Sequence, residues 1–167
     1  LSVYSRPQTV DIKGTDIFMV PWICEDNAEA FLEERNASDA RLAMGHLELA
    51  GFYANKDYQC QHGTDPDKFS QFDMVFSGHF HKKSTRSNVT YLGNPYQLYW
   101  NDLGEVRGFH ILDLDTGKLE FIANPNPMYN KIFYNESKQK LFNPNKFKDN
   151  YIKIVVEDKS TPKKLSA

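Results

Sequence analysis

The sequence predicts a mixed α/β fold in which strands outnumber helices. Three features point there: short apolar runs that each end at a glycine, two glycine-containing turns between strand-like segments, and one stretch with helical spacing. Such elements bury their apolar sides best as layers of sheet and helix around a core.

In chain order, residues 10–12 and 16–20 flank Lys13-Gly14-Thr15, a hairpin signal, and Pro21 should end the second strand. Residues 25–35 place Ala28, Phe31, Leu32 and Arg35 at helical spacing, with acids early, where a helix N-terminus favours them. Residues 41–44 form a short apolar run before Gly45 and are expected to be a buried strand. Residues 67–72 hold one or two helical turns at most. Residues 73–77 make a second buried strand, stopped by Gly78, and residues 89–92 a third, stopped by Gly93-Asn94-Pro95. Residues 108–113 and 118–123 are strands around the Asp115-Thr116-Gly117 turn. From 124 to 150 there are seven asparagines and three prolines (Pro125, Pro127, Pro144), the composition of an irregular connection. Residues 151–157 alternate again and look like the start of a new unit. No internal repeat is visible. Functional groups in such folds often sit just past strand ends.

At 167 residues the chain can bury a substantial core, and with 40% hydrophobic and 25% charged residues it is neither disordered nor fibrous. No run approaches about 18 apolar residues, so no membrane helix is expected. A net charge of −2 excludes nucleic-acid binding through a generally basic surface. Charge is uneven, however: residues 1–130 carry 11 basic and 18 acidic groups, and residues 131–167 carry 9 basic and 4 acidic ones. The basic end reads either as a solvated lysine-rich tail or as a nucleic-acid contact. Cys24 and Cys60 cannot make a disulfide scaffold and suit a reducing compartment such as the cytoplasm, with one bridge left open. The chain opens on Leu1 without a signal segment, which reads as a start inside a longer protein.

The histidines carry the chemistry. His46 follows an apolar run and Gly45; His79 follows another and Gly78, with His81 two residues on. In an extended segment residues i and i+2 share a side, roughly 6.5–7 Å apart. Two imidazoles so spaced could each reach one of two metal ions about 3.5–4 Å apart, with Phe80 turned into apolar packing. His46 could converge on the same place. A lone Gly-His is weak evidence; His62, in a loop, and His110, inside a strand, are expected to be structural. Three neutral imidazoles do not balance two divalent ions, and Asp73 and Asp102 show no ligand spacing. Either the three histidines bind one metal, or the remaining ligands lie on other sequence.

Met44-Gly45-His46-Leu47-Glu48-Leu49-Ala50-Gly51-Phe52 and Phe76-Ser77-Gly78-His79-Phe80-His81-Lys82-Lys83-Ser84 resemble the last two metal motifs of calcineurin-like metallophosphoesterases. Within that superfamily the chain is most similar to SbcD-type DNA repair and recombination nucleases, especially the phage type. Phe18-Met19-Val20-Pro21-Trp22-Ile23-Cys24 and Tyr91-Leu92-Gly93-Asn94-Pro95-Tyr96-Gln97 also resemble the phage type. The resemblance implies a four-layer α-β-β-α sandwich of which residues 1–128 are the C-terminal half. Residues 129–150 would be the irregular connection, and residues 151–167 the start of a DNA-capping region with a basic tail. It implies two manganese ions, with His46 and His79 matching ligands of one and His81 a ligand of the other. The family's other four ligands, from an Asp-x-His motif, a Gly-Asp motif and the Asn of an Asn-His-Asp motif, lie upstream of the matching motifs and have no counterpart here. Lys82, Lys83 and Arg86 follow the ligands and read either as DNA phosphate contacts or as a solvated loop. The family hydrolyses DNA as exonuclease and single-strand endonuclease and works with an SbcC-type coiled-coil ATPase, which implies the cytoplasm, including that of a phage-infected host.

The expectation is therefore a nuclease fragment, weak or inactive alone. The alternatives are a single-metal module without catalysis, an interaction subunit completing another chain, or another metallophosphoesterase such as a phosphatase or nucleotide phosphodiesterase. A half sandwich exposes strand edges, so marginal folding or self-association, a homodimer included, is also expected.

Overall fold

The structure, a computed structural model, describes residues 2–54, 58–135 and 143–157. Among these residues, ten strands and one α-helix bear out the mixed α/β class. None of the described helices is long and apolar enough to cross a membrane. The chain divides into two compact units, Leu1–Pro95 with Arg107–Ala123, and Tyr96–Val106 with Asn124–Ala167.

The first unit is built on a six-stranded sheet. Its strands are β1 (Gln8–Ile12), β2 (Thr15–Val20), β3 (Leu42–Gly45), β4 (Met74–Ser77), β5 (Ser84–Arg86) and β6 (Val89–Tyr91), in the order β1-β2-β3-β4-β6-β5. β2, β3, β4 and β6 run parallel, with antiparallel β1 and β5 at the edges. The β1–β2 turn is tight because Lys13 (φ 54°) and Gly14 (φ 84°) both take left-handed backbone, as a two-residue hairpin requires.

Strand side chains alternate between faces, and both faces are covered. Phe18, Ala43, Val75 and Val89 pack into one cluster with Phe31 of helix α1 (Ala28–Ala37) and with Phe69 and Phe72. Phe18 stacks on Phe72 with ring centroids 5.4 Å apart. Their neighbours Ile17, Leu42 and Phe76 pack the other way, against Leu112 and Leu119 of the hairpin β7 (Gly108–Leu112) and β8 (Leu119–Ala123). Two-sided burial explains why β3 and β4 read as unbroken apolar runs.

The second unit contains β9 (Tyr129–Tyr134) and β10 (Tyr151–Val156), paired in parallel with Tyr129 opposite Tyr151. Two buried polar side chains organise its beginning. The Asp102 carboxylate accepts from the Leu98 and Tyr99 N–H groups at 2.8 and 3.2 Å. Gln97 Oε1 accepts from the Met128 and Tyr129 N–H groups, both at 2.9 Å, while its Nε2 donates to the Asp102 carbonyl at 3.2 Å.

Several expectations need adjustment. The helix begins at Ala28 rather than 25, because Asn27 holds the preceding turn: its Oδ1 accepts from Cys24 N at 2.8 Å and its Nδ2 donates to Trp22 O at 2.7 Å. The expected turns at 67–72 are a single 3-10 turn, Pro66–Phe69. β5 was not anticipated; its Ser-Thr-Arg sequence carries no apolar period. The stretch expected to be irregular contains β9, whose Tyr-Asn-Lys-Ile-Phe-Tyr pattern was masked by flanking asparagine and proline. Residues 136–142, within that stretch, and the basic tail from 158 lie outside the described residues. Cys24 is exposed and Cys60 buried, both as free thiols.

Candidate functional site

β3 and β4 are adjacent and parallel, with Gly45 opposite Ser77. Their following residues leave the same edge of the sheet, and Gly78 N still donates to Gly45 O at 3.1 Å. This register brings two of the expected histidines together. The His46 and His79 rings meet edge to face, centroids 5.3 Å apart. The Trp22 indole, at the exit of β2, closes the group at 6.2 Å from His46 and 5.0 Å from His79.

The segment carrying His46 is pinned from beneath by groups that sequence reasoning passed over. Ser77 Oγ, fully buried, accepts from Leu47 N at 2.9 Å and donates toward Gly78 O at 3.1 Å. The buried Tyr91 hydroxyl donates to Leu47 O at 2.9 Å and accepts from Leu49 N at 3.0 Å. Burial pushes the Tyr91 phenol far above its ordinary range, so it stays protonated as a donor. Both residues sit on strands and show no periodic signal beyond a buried position; only the pairing of β3, β4 and β6 turns them toward residues 47–49. Gly78 is required for space, since a Cβ there would lie 2.8 Å from His46 Nδ1.

His79 departs from the extended geometry that the spacing suggested. Its backbone is left-handed, φ 74°, uncommon for a residue with a side chain. The bend turns its ring back toward His46, and Phe80 enters the main core, 5% exposed, as expected. His81 does not join the other two rings in one cluster. Among the described residues no group of three or more histidine, cysteine or acidic side chains is placed to hold a metal ion. The backbone at His81 is nonetheless firmly held. Its carbonyl accepts from the buried Arg107 guanidinium and from Asn94 N–H at 3.2 Å. Gly93, at φ 73°, lets the chain pass close: a Cβ there would lie 2.9 Å from that carbonyl.

Burial, and secondarily the neighbouring His79, lowers the pKa of His46. A neutral imidazole is the form that binds a metal, so this environment favours ligation over protonation. Beside the pair, a cavity of about 590 Å³ is lined by Trp22, Glu25, Leu47, Glu48 and Thr64 among others.

The remaining candidates are dispersed. Lys82 is half-buried, while Lys83 and Arg86 are exposed. The Lys83 ammonium lies 3.8 Å over the Phe121 ring, and Arg86, on edge strand β5, donates to Gly51 O at 3.5 Å. His62 is exposed in its loop, and the His110 ring packs 5.0 Å from Phe121 within the β7–β8 hairpin, so neither stands with the His46–His79 pair. Asp73 is paired with Arg41, and Asp102 holds the turn described above; both carboxylates have structural work.

No family model matches the chain. Over 134 residues, 80% of its length, it is 40% identical to "Exonuclease subunit 1" of Enterobacteria phage T4. The matched stretch covers 39% of that relative, so the chain spans well under half of its length. Identity of this extent supports a nuclease family for the chain.

Proposed function

We propose that this chain is the histidine-bearing part of a two-metal DNA nuclease that hydrolyses phosphodiester bonds in recombination and repair, as an exonuclease and single-strand endonuclease. The observation that carries the proposal is the convergence of His46 and His79 at the ends of two adjacent parallel strands. The similarity to an exonuclease subunit supplies the reaction class. His46 and His79 would hold one manganese ion and His81 the second. The donor set fits: imidazole nitrogen suits divalent transition metals, and the surroundings of His46 favour its neutral form. Bound ions would supply charge stabilisation at the phosphoryl oxygens and a water acidified toward neutrality.

The chain's own groups orient this centre. Ser77 and Tyr91 hold the backbone behind His46, Arg107 and Asn94 hold it at His81, and Trp22 walls the pair from one side. Lys82, Lys83 and Arg86 are the proposed phosphate contacts next to the ligands. Imidazoles alone leave two divalent ions short of negative charge. The proposal therefore includes acidic ligands from outside these 167 residues, in a four-layer sandwich of which the six-stranded sheet is one layer, and weak or absent activity of the chain alone. Whole-protein features follow from the same reading: DNA as substrate, an SbcC-type coiled-coil ATPase as partner, and the cytoplasm, including that of an infected host, as location.

The test uses the sequence's two tryptophans, Trp22 and Trp100. In a Trp100→Phe chain, Trp22 reports alone beside the histidines, and paramagnetic manganese bound there should quench it. His46→Ala or His79→Ala should abolish the quenching. Single-stranded DNA should be cleaved poorly by the chain and efficiently once the upstream part of its parent protein is added. An unquenched Trp22 at millimolar manganese would overturn the proposal; tight binding of one zinc, abolished by His81→Ala, would replace it with a single-metal module.

A further inference from the structure

The cavity beside the histidine pair has the wrong charge for a phosphate. Its lining includes Trp22, Glu25, Glu48 and Thr64 and no basic side chain. At about 590 Å³ it falls in the size range of small-ligand pockets.

Its walls are fixed by backbone contacts. Thr64 N–H donates to Glu48 O at 2.8 Å and Ala50 N–H to Thr64 O at 3.1 Å, which ties residues 60–64 along residues 48–50. Gly63 permits that approach, since a Cβ there would lie 2.6 Å from Glu48 O. Cys60, 1% exposed, donates its N–H to Phe52 O at 2.8 Å, and its carbonyl accepts from Gly51 N–H at 2.7 Å. The Trp22 indole is braced by the His79 ring at 5.0 Å and remains 44% exposed.

The carboxylates lack counter-charge. Among the described residues, no basic side chain forms an ion pair with Glu25 or Glu48. Glu25 is exposed, so water can serve it, but Glu48 is half-buried. A weak donor meets Glu48: Cys60 Sγ lies 3.6 Å from its Oε1, and also 3.5 Å from His62 O. One S–H cannot satisfy both acceptors, and a carboxylate has about four acceptor positions. Charged oxygens left unmet on burial are costly, which favours a cationic donor here.

A flat cation matches these features. A guanidinium can lie on an indole face while it presents paired N–H groups to a carboxylate; an ammonium is a point charge without that fork. A free amino acid would bring its own carboxylate into an acidic cavity, whereas an arginine within a polypeptide does not.

We propose that this cavity receives an arginine side chain of a partner protein, its guanidinium on Trp22 and forked to Glu48, with Glu25 adding negative charge. Trp22 also touches both histidine rings, so the partner docks at the edge of that centre. The inference requires neither metal nor DNA and stands apart from the proposed function.

In the Trp100→Phe chain, with EDTA present, Trp22 emission is followed as the blocked tripeptide acetyl-Gly-Arg-Gly-amide is added. A saturable change is expected at about millimolar peptide, and added salt should weaken it. Glu48→Gln keeps the shape of the side chain and should weaken binding at least about 10-fold. Glu25→Gln, at an exposed position, should weaken it about 2- to 5-fold. Circular dichroism checks that both variants keep the fold. The citrulline tripeptide, similar in shape but uncharged, should give no saturable change, a comparison that needs no variant to fold. The lysine tripeptide and free arginine should each bind more weakly than the arginine tripeptide. No saturable change up to about 10 mM peptide would overturn the proposal. So would equal binding of the citrulline tripeptide, parent-like affinity in Glu48→Gln, or tighter binding of free arginine or spermidine than of the arginine tripeptide.

Discussion

The centre of the six-stranded sheet and the β9–β10 ladder are both built from paired parallel strands, yet they differ in how much of their side chains is covered. In the first, β3 and β4 are covered on both faces, so no side-chain row is available for binding, and chemistry appears only where the strands stop, at His46 and His79. In the second, β10 keeps Tyr151, Ile152, Lys153 and Ile154 exposed, on both of its faces. Packing turns a parallel sheet into a scaffold for its loops; where packing is thin, the strands' own side chains stay exposed.

The sharpest way to break this contrast is to empty the core of the sheet. Phe18→Ala removes a fully buried ring that packs on Phe31 and Phe72, and should cost about 3–5 kcal/mol in denaturant unfolding. If the loss is under 1 kcal/mol, the sheet is not the packed scaffold described. Tyr91→Phe leaves the Leu47 carbonyl and Leu49 N–H without their buried partner and should cost about 1–3 kcal/mol. It should also lower manganese affinity, because residue 47 adjoins the ligand. Gly78→Ala separates site from scaffold: the added methyl meets His46 Nδ1, so manganese quenching of Trp22 should need about 10- to 100-fold more metal, as for disturbed groups behind a ligand. Ile154→Ala, on the open ladder, should change stability by no more than about 0.5 kcal/mol. A large loss there would mean the ladder is buried in solution.

Protonation gives the smallest effect. The pKa of His46 is lowered in the fold, from 6.5, by burial and then by His79. Below about 6.5 the unfolded chain takes up the proton more readily, so stability is complete above that pH and declines as pH falls toward the lowered folded value. His110 shifts in the same direction, through burial and Lys83. His46→Ala should therefore flatten the acid side of the stability profile in part. A profile identical to the parent's would remove the electrostatic account of the histidine pair.

Much of the scaffold was legible because its signals are local. Both hairpins follow from short turn sequences, and the apolar runs of β3 and β4 state two-sided burial directly. β9 was not legible, since asparagines and prolines on either side outweighed six residues whose strand state depends on β10, about twenty positions away. At the site, His46 and His79 were found from the strand-Gly-His pattern. The geometry inferred for His81 was not, because it assumed extended backbone where His79 is left-handed. Ser77, Tyr91 and Arg107 gave no signal, since a buried serine, tyrosine or arginine reads the same whatever it bonds.

By itself the sequence determined where strands stop and which residues stand at their ends, for those properties belong to a few neighbouring residues: a glycine that breaks a run, a histidine that follows it. Only the tertiary structure decided which ends meet. The β3–β4 register joined His46 to His79, the hydroxyls of Ser77 and Tyr91 met the backbone at Leu47, and the β9–β10 pairing set Lys131 against Lys153. Each of these depends on segments far apart in the chain, and their distance is set by packing and strand pairing rather than by any local preference.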